Sequence, residues 1–170
     1  MELWDLLDQN GNPLGRTLVR GEVLPQGTYH RTVDIYTVNS RGELLTTLRA
    51  PEKDMYPNLW EVTGGSAVAG EASLTAALRE LREETGLMAE AQEMVYLMTH
   101  CGRTTICDVY LFHRNAAIAD LTMQVGETVA ARWVSFDEWE RMIDAGDVPA
   151  PVGRLYEVAK PRLWEELGKR

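Results

Sequence analysis

Three glutamates near the middle of the chain have a spacing that suits the binding of a divalent cation. If the second half of the stretch 65–87 is helical, spacings of three and four place Glu80, Glu83 and Glu84 on one face. Arg79 can pair with Glu83, which leaves Glu80 and Glu84 as like charges without compensation. Mg²⁺ takes carboxylate, water and phosphate oxygens as ligands and would neutralise them. The helix alone leaves open the alternative of an acidic face in contact with solvent.

The other side of the same helix is apolar, and a narrow stripe of this kind is expected to point into a core. Its members are Leu74, Ala77, Leu78, Leu81 and Thr85. Gly86 predicts the end of the helix, because glycine accepts the left-handed backbone conformation found there. Gly64 and Gly65 precede the helix and follow an apolar, strand-like run around Trp60. Glycines at such a turn let the backbone come close to a ligand.

The whole stretch resembles the Nudix box, the signature of the Nudix hydrolase superfamily. The family pattern is glycine, five residues, glutamate, seven residues, Arg-Glu, an aliphatic residue, any residue, Glu-Glu, any residue, glycine and an aliphatic residue. Every gap is matched by Gly65, Glu71, Arg79, Glu80, Leu81, Glu83, Glu84, Gly86 and Leu87. Because so many specified positions rarely coincide by chance, the chain is identified as a member of this superfamily.

The resemblance implies an α/β (α+β) fold, namely a Nudix-type α/β/α sandwich with a mixed β-sheet. We expect one Nudix domain over residues 1–170, with an N-terminal hairpin or extension over 1–28 and the Nudix box at 65–87. The order of the elements in the sequence, strands, helix, strands and helices, is compatible with this plan.

Local patterns predict the individual elements. The Asn10-Gly11 turn predicts a hairpin that goes out over residues 2–7 and returns from Leu14. A turn of helix is expected over 17–23. Strands are predicted over 30–39, 43–49, 92–100, 104–113 and 127–134. A helix over 136–143 should end at Gly146, and a last helix over 152–167 should be kinked or split at Pro161.

By resemblance, the reaction is hydrolysis of a nucleoside diphosphate linked to another moiety, or of a related pyrophosphate, by water that attacks phosphorus. The resemblance assigns the carboxylates of Glu80, Glu83 and Glu84 and the carbonyl of Gly65 as ligands of Mg²⁺, with Mn²⁺ as an alternative. The expected partner is a small-molecule pyrophosphate.

Other residues of the motif have supporting or catalytic roles by the same resemblance. Arg79 would orient the carboxylates through salt bridges, and Glu71 would hold the loop–helix–loop together. The general base differs among subfamilies and could be Glu83, Glu80 or Glu127. Glu127 lies just before a predicted strand, and the alternative for it is a solvated acid at a strand edge.

A second resemblance concerns the sequence before the box. Tyr29-His30-Arg31, the following strand and Trp60 look like the N-terminal half of isopentenyl-diphosphate isomerases, in which a histidine here binds a metal. Those enzymes also need a cysteine and a histidine before the box helix, where this chain has Gly64 and Ser66. The expected protein is therefore a hydrolase of the isomerase-like branch. Isomerase activity and a non-catalytic nucleotide-binding module are the alternatives.

The composition of the chain limits the kinds of molecule that it is expected to bind. The net charge of -9 disfavours a protein that grips a nucleic acid polymer. No long apolar span or signal peptide is visible, so we expect a cytoplasmic protein without a membrane partner. Cys101 and Cys107 form no disulfide framework and are expected as reduced thiols. Nudix hydrolases are often dimers, so a homodimer is compatible with the resemblance. Among the arginines outside the box, Arg49, Arg103 and Arg114 could meet phosphates, and the alternative is that they are simply solvated.

Overall fold

Two helical layers enclose a mixed β-sheet in the computed structural model, which describes residues 2–168. Met1 and residues 169–170, which the predicted domain 1–170 includes, lie outside the described residues. The strands are β1 (Leu3–Leu7), β2 (Pro13–Val19), β3 (His30–Val38), β4 (Leu44–Arg49), β5 (Trp60–Glu61), β6 (Thr63–Ser66), β7 (Met94–Cys101), β8 (Thr105–His113) and β9 (Thr128–Val134). The helices are α1 (Ser73–Thr85), α2 (Phe136–Ala145) and α3 (Ala150–Glu166).

The sheet is centred on β3. Its order is β5-β4-β3-β8-β7, with β6 paired to one end of β3 and β9 paired to β4. β3 and β8 are parallel, from His30 opposite Thr105 to Val38 opposite His113, whereas the other pairs are antiparallel. Both central strands are mostly buried, as expected for parallel strands covered on two faces. The predicted mixed sheet is confirmed.

Side chains from β3 and β8 feed two separate apolar cores, because successive residues of a strand point to opposite faces. The core beneath α1 includes Val33, Ile35, Ala76, Ala77, Leu81 and Phe112. The core beneath α2 and α3 includes Tyr36, Leu111, Trp139, Tyr156 and Leu163. This arrangement is the predicted α/β/α sandwich. The predicted apolar face of α1 also packs inward, with Leu74 and Leu78 only partly buried at its edge.

The helix ends follow the glycine signals. Gly86 and Gly146 both adopt the left-handed conformation, with φ of 74° and 81°, directly after α1 and α2.

The prediction of a helical turn over residues 17–23 is wrong. Thr17 to Val19 belong to β2, where Val19 pairs with Leu3, so no helical turn forms there. Helix α3 begins at Ala150, before the predicted start, and is not split at Pro161; the side chains of Pro161 and Glu157 are exposed, so water can bond the freed carbonyl.

The N-terminal hairpin of β1 and β2 packs beside the first part of the Nudix box. The backbone N–H of Ala69 donates to the carbonyl of Leu3 at 2.7 Å, and that of Gly70 donates to the Asp5 carboxylate at 2.7 Å. Trp4 stacks on His30 with ring centroids 4.0 Å apart. The hairpin therefore contacts both the central strand and the loop that leads into α1.

The burial of His30 predicts a dependence of stability on pH. Burial lowers the pKa of His30 from 6.5 to about 4, so its ring stays neutral in the folded protein while the unfolded chain gains a proton. The contribution of His30 to the free energy of unfolding should therefore fall by on the order of 1–2 kcal/mol between about pH 7.5 and about pH 5. His30→Phe keeps a ring against Trp4 and has no titrating group, so urea unfolding should show the variant gaining about this much stability relative to the original protein over the same pH range.

The matched control is His113→Phe, which removes an exposed imidazole at the end of β8. Its free energy of unfolding should depend on pH as that of the original protein does. If the difference in free energy of unfolding between His30→Phe and the original protein were the same at both pH values, the proposed cause would be wrong.

Candidate active site

The three glutamates of α1 differ strongly in their exposure. Glu84 is buried, with 7% of its surface accessible, and it accepts a hydrogen bond from the backbone N–H of Gly64 at 3.3 Å. The Glu80 side chain is 12% exposed and that of Glu83 is 35% exposed. This face is therefore not a uniformly solvated acidic surface, and its most buried carboxylate points at the strand β6.

Arg79 holds this face to the preceding loop. Its guanidinium donates two hydrogen bonds to Glu71, each at 2.9 Å, and further bonds to Glu80 at 2.8 Å and Glu83 at 3.1 Å. It also donates to the carbonyl of Ser66 at 3.0 Å. The predicted pairing of Arg79 with Glu83 is present, but the expectation that Glu80 lacks a compensating charge is wrong. The spacing in sequence did not reveal that one guanidinium can reach both carboxylates.

Glu71 is fixed from both sides. Besides the two bonds from Arg79, its carboxylate accepts the backbone N–H of Val68 at 3.0 Å. The hydrogen bonds from Arg79 hold the pKa of Glu71 below its usual value. Glu71 thus ties the loop before α1 to the middle of the helix.

Two glycines of β6 make room for acidic side chains. A Cβ atom built at Gly65 would overlap the Glu80 carboxyl group, so the absence of a side chain lets Glu80 lie against this backbone. A Cβ atom at Gly64 would lie 2.5 Å from the carbonyl oxygen of Val33 and 2.7 Å from Oδ1 of Asp34. The cysteine that an isomerase would need at position 64 therefore does not fit the backbone seen here.

The acidic groups around β6 repel one another. Burial raises the pKa of Glu84 well above its usual value, and the charges of Glu61 and Glu80 add to that effect. Burial also raises the pKa of Glu80, against the influence of Arg79, and that of Glu61, against the influence of Arg49. Buried carboxylates next to a backbone carbonyl are a donor set that suits a hard divalent cation, which would remove the repulsion.

The carboxylates near β6 are not gathered around a single point where a cation could sit. Over residues 2–168, no group of three or more His, Cys, Asp and Glu side chains is close enough to hold a metal ion. Arg79 instead engages Glu80 and Glu83. Coordination by the predicted set, Glu80, Glu83, Glu84 and Gly65, therefore requires the first two carboxylates to turn away from Arg79.

Glu127 and Glu61 lie outside α1, and each is paired with a basic residue. Glu127 immediately precedes β9 and forms an ion pair with Lys53. Glu61 pairs with Arg49 through two hydrogen bonds of 2.8 and 2.9 Å. The charges of both glutamates contribute to the raised pKa of Glu84, so both belong to the electrostatic surroundings of the box.

A cavity of about 780 Å³ borders the box. One wall is formed by Glu61 and the β6 residues Gly64 and Gly65, and the floor includes Asp34 of β3 and Cys107 of β8. The opposite wall combines the β7–β8 turn with the start of α3. The glutamates of α1 do not line the cavity; they lie behind β6.

Asp34 is a cavity residue that the sequence analysis missed. Its exposure is small, and burial, helped by the charge of Glu61, raises its pKa to about 7. The signal was available, because Asp34 is the acidic residue in a strand otherwise rich in β-formers. Its position against Gly64 depends on a contact between two strands, which sequence periodicity does not show.

The histidines and cysteines are dispersed. His30 is stacked on Trp4, His113 is exposed at the end of β8, and His100 lines the cavity. Cys107 is buried and Cys101 is exposed, and both are free thiols.

Comparison with known proteins agrees with this geometry. Residues 28–152 match the NUDIX domain family. The chain belongs to the Nudix family. An uncharacterized Nudix hydrolase of Listeria monocytogenes is 34% identical over 148 residues, which cover 86% of this chain and 88% of that protein. The crystal structure of a Deinococcus radiodurans protein superposes with a TM-score of 0.77 at 23% identity, over 94% of this chain and 98% of that one.

Isomerases match a smaller part of the chain. An isopentenyl-diphosphate Delta-isomerase of Pectobacterium atrosepticum is 40% identical over 93 residues, or 54% of this chain and 51% of the isomerase. The family match and the Nudix relatives confirm three predictions: membership of the Nudix superfamily, the fold and the assignment as a hydrolase.

Among residues 2–168, no helix is both long enough and apolar enough to cross a membrane.

The buried charge of Glu84 predicts opposite effects on stability and on metal binding. Glu84→Gln removes a carboxylate that burial and its neighbours disfavour, so with a chelator present it should raise the melting temperature at neutral pH. The rise should be about 2–4 °C for each kcal/mol of repulsion relieved. Added Mg²⁺ should raise the melting temperature of the original protein but not that of the variant.

The control is Glu157→Gln, which neutralises an exposed carboxylate on α3 and should leave both effects unchanged. A Mg²⁺-dependent rise of undiminished size in Glu84→Gln would exclude Glu84 from the metal site.

Proposed function

We propose that this Nudix hydrolase is Mg²⁺-dependent and cleaves the pyrophosphate of a nucleoside diphosphate linked to another moiety, or of a related compound. The observation that carries the proposal is the packing of Glu84 and Glu80 against the Gly64-Gly65 backbone, at the border of the cavity. Glu80, Glu83, Glu84 and the carbonyl of Gly65 would hold the cation. When bound, Mg²⁺ neutralises the charge of the pyrophosphate and makes water easier to deprotonate.

The surrounding residues position these groups. Arg79 carries a fixed positive charge that orients Glu80 and Glu83, and Glu71 fixes Arg79 in turn. The cavity gives the remainder of the substrate a place beside β6, where a small molecule fits. A nucleic acid polymer is disfavoured by the net charge of -9. We place the enzyme in the cytoplasm, in keeping with its two free thiols.

Among the candidate bases on α1, the exposure of the side chains favours Glu83. A general base must reach the attacking water directly or through one further water. Glu83 is the most exposed of the three α1 glutamates, and a single bond to Arg79 holds it. Glu80 is more enclosed than Glu83. Glu127 is as exposed as Glu83 and is likewise held by one basic residue, Lys53, so the choice between these two rests on a variant of Glu127.

An isomerase is the second candidate, and the geometry at β6 opposes it. An isomerase would add a proton to an alkene and remove a different proton from the resulting cation; by resemblance this needs a cysteine near position 64 and a metal-binding histidine near position 66. Gly64 is enclosed by Val33 and Asp34, and position 66 is a serine. A module that only binds a nucleotide is also disfavoured, because simple binding does not require a buried and mutually repelling set of carboxylates.

A screen for phosphate release tests the proposal directly. Purified protein should release phosphate from at least one of the nucleoside triphosphates, nucleoside diphosphate sugars, dinucleotides or isoprenoid diphosphates, after a coupled phosphatase step where needed. Release should depend on Mg²⁺ and stop with chelator. Interconversion of isopentenyl and dimethylallyl diphosphate without any release would instead establish the isomerase.

Neutralising the box glutamates should remove activity without unfolding the protein. Glu83→Gln and Glu84→Gln should each lower kcat by about 100-fold or more, since each removes a charge that binds the cation or activates water. Near-original turnover in either variant, measured with the substrate found in the screen, would remove that residue from the site. Circular dichroism spectra should match that of the original protein.

Glu127→Gln distinguishes the two positions for the base. If Glu83 is the base, this variant should lose less than about tenfold in kcat, because Glu127 acts only through the local field. Lys53→Met serves as the companion variant, since it frees Glu127 from its ion pair without removing the carboxylate. A loss of about 100-fold or more in Glu127→Gln, with a changed pH–rate profile, would transfer the role from Glu83 to Glu127.

A further inference from the structure

The wall of the cavity that faces away from the box is cationic. Arg103, in the β7–β8 turn, and Arg154, in the second turn of α3, both line the cavity and are exposed. Neither guanidinium group forms an ion pair or hydrogen bond with any residue between 2 and 168. His100 lies on the same wall.

The two walls therefore differ in charge. Asp34 and Glu61 line the side near β6, and Arg103 and Arg154 line the other side. Apolar side chains lie among them, including Val152 and Leu155 of α3. In a chain with a net charge of -9, two arginines without acidic partners at one cavity are a feature that a substrate can use.

The cavity is large enough for its acidic and cationic sides to contact different parts of one substrate. A volume of about 780 Å³ is in the range of pockets that enclose a whole small molecule and is larger than a pyrophosphate alone needs. A pyrophosphate held at the Gly64-Gly65 border therefore leaves room for an organic moiety along the apolar side chains. The far end of that moiety would reach the arginines.

Guanidinium groups recognise phosphate through paired, charge-assisted hydrogen bonds. We propose that Arg103 and Arg154 form a subsite for a second phosphate group, carried by the organic moiety of the substrate and distinct from the scissile pyrophosphate. The substrate class is thus a pyrophosphate whose organic part bears a phosphomonoester. The inference rests on the proposed function only for the place of the scissile pyrophosphate.

The first experiment uses inorganic phosphate as the probe and needs no turnover. With chelator present, the buried carboxylates repel phosphate, so it should bind at the arginines. Phosphate titrated into ¹⁵N-labelled protein should cause saturable shifts in the amide signals of residues 102–105 and 151–155. Arg103→Ala/Arg154→Ala should weaken the apparent affinity by about tenfold or more.

The control removes an arginine from the same helix outside the cavity. Arg162 pairs with Glu165 on the surface of α3, so Arg162→Ala should keep the original affinity for phosphate. Absence of saturable shifts at the two segments, or shifts that persist in the double variant, would overturn the subsite.

The second experiment separates a second phosphate from the pyrophosphate itself. Coenzyme A and its 3′-dephospho form, and the phosphorylated and unphosphorylated nicotinamide dinucleotides, are pairs that differ by one phosphomonoester. For a hydrolysed pair, kcat/KM should be about tenfold or more higher for the phosphorylated member, chiefly through KM. The double variant should lose this preference and retain its activity on the unphosphorylated member.

The outcomes distinguish this inference from the proposed function. Hydrolysis without preference for the phosphorylated member would overturn the subsite and leave the hydrolase intact. Equal losses on both members of a pair would place the arginines at the pyrophosphate and also overturn the subsite. Phosphate binding that depends on Arg103 and Arg154, without hydrolysis of any compound, would support the subsite and count against the hydrolase.

Discussion

The guanidinium group of Arg79 is the contact on which the arrangement of the acidic groups depends. Its planar set of donors reaches Glu71 and the Ser66 carbonyl in the loop, and Glu80 and Glu83 on α1. A lysine ammonium could not offer these directions together. The oxygens proposed to hold a cation are therefore positioned by a competing positive charge. Arg79 keeps a repelling cluster folded, and under the proposed function part of that pairing would be given up to the cation.

Successive side chains at the start of β3 face a packed core and the cavity in turn. Val33 and Ile35 point to the core under α1, whereas Thr32 and Asp34 point to the cavity, because neighbouring side chains of a strand face opposite ways. β6 completes this division: its glycines let Glu80 approach from one side and Asp34 from the other. One face of β3 is thus apolar along Val33 and Ile35, whereas the other is polar at Asp34, beside the cavity, and joins the second core at Tyr36.

How much could be predicted from sequence depends on the distance along the chain over which a feature arises. The box glutamates, the helix that carries them and its end at Gly86 follow from spacings within a few residues, and the sandwich follows from the family resemblance. Asp34 and Arg154 were missed as cavity residues because strands and a helix distant in sequence bring them together. The compensation of Glu80 was misjudged for a related reason, since side-chain reach, not spacing, decides which carboxylates Arg79 contacts. The helical turn expected at Thr17 is absent because pairing with β1 makes this residue part of a strand.

The contacts of the N-terminal hairpin affect where this domain can be cut. The family match begins at residue 28, yet Leu3 and Asp5 accept hydrogen bonds from Ala69 and Gly70 within the box. A fragment trimmed to the matched segment would leave those two amide groups facing water and would expose the face of His30 that Trp4 covers. For this chain, the unit that an expression experiment should preserve is therefore longer than the family boundary, and its first strand supports the loop that leads into α1.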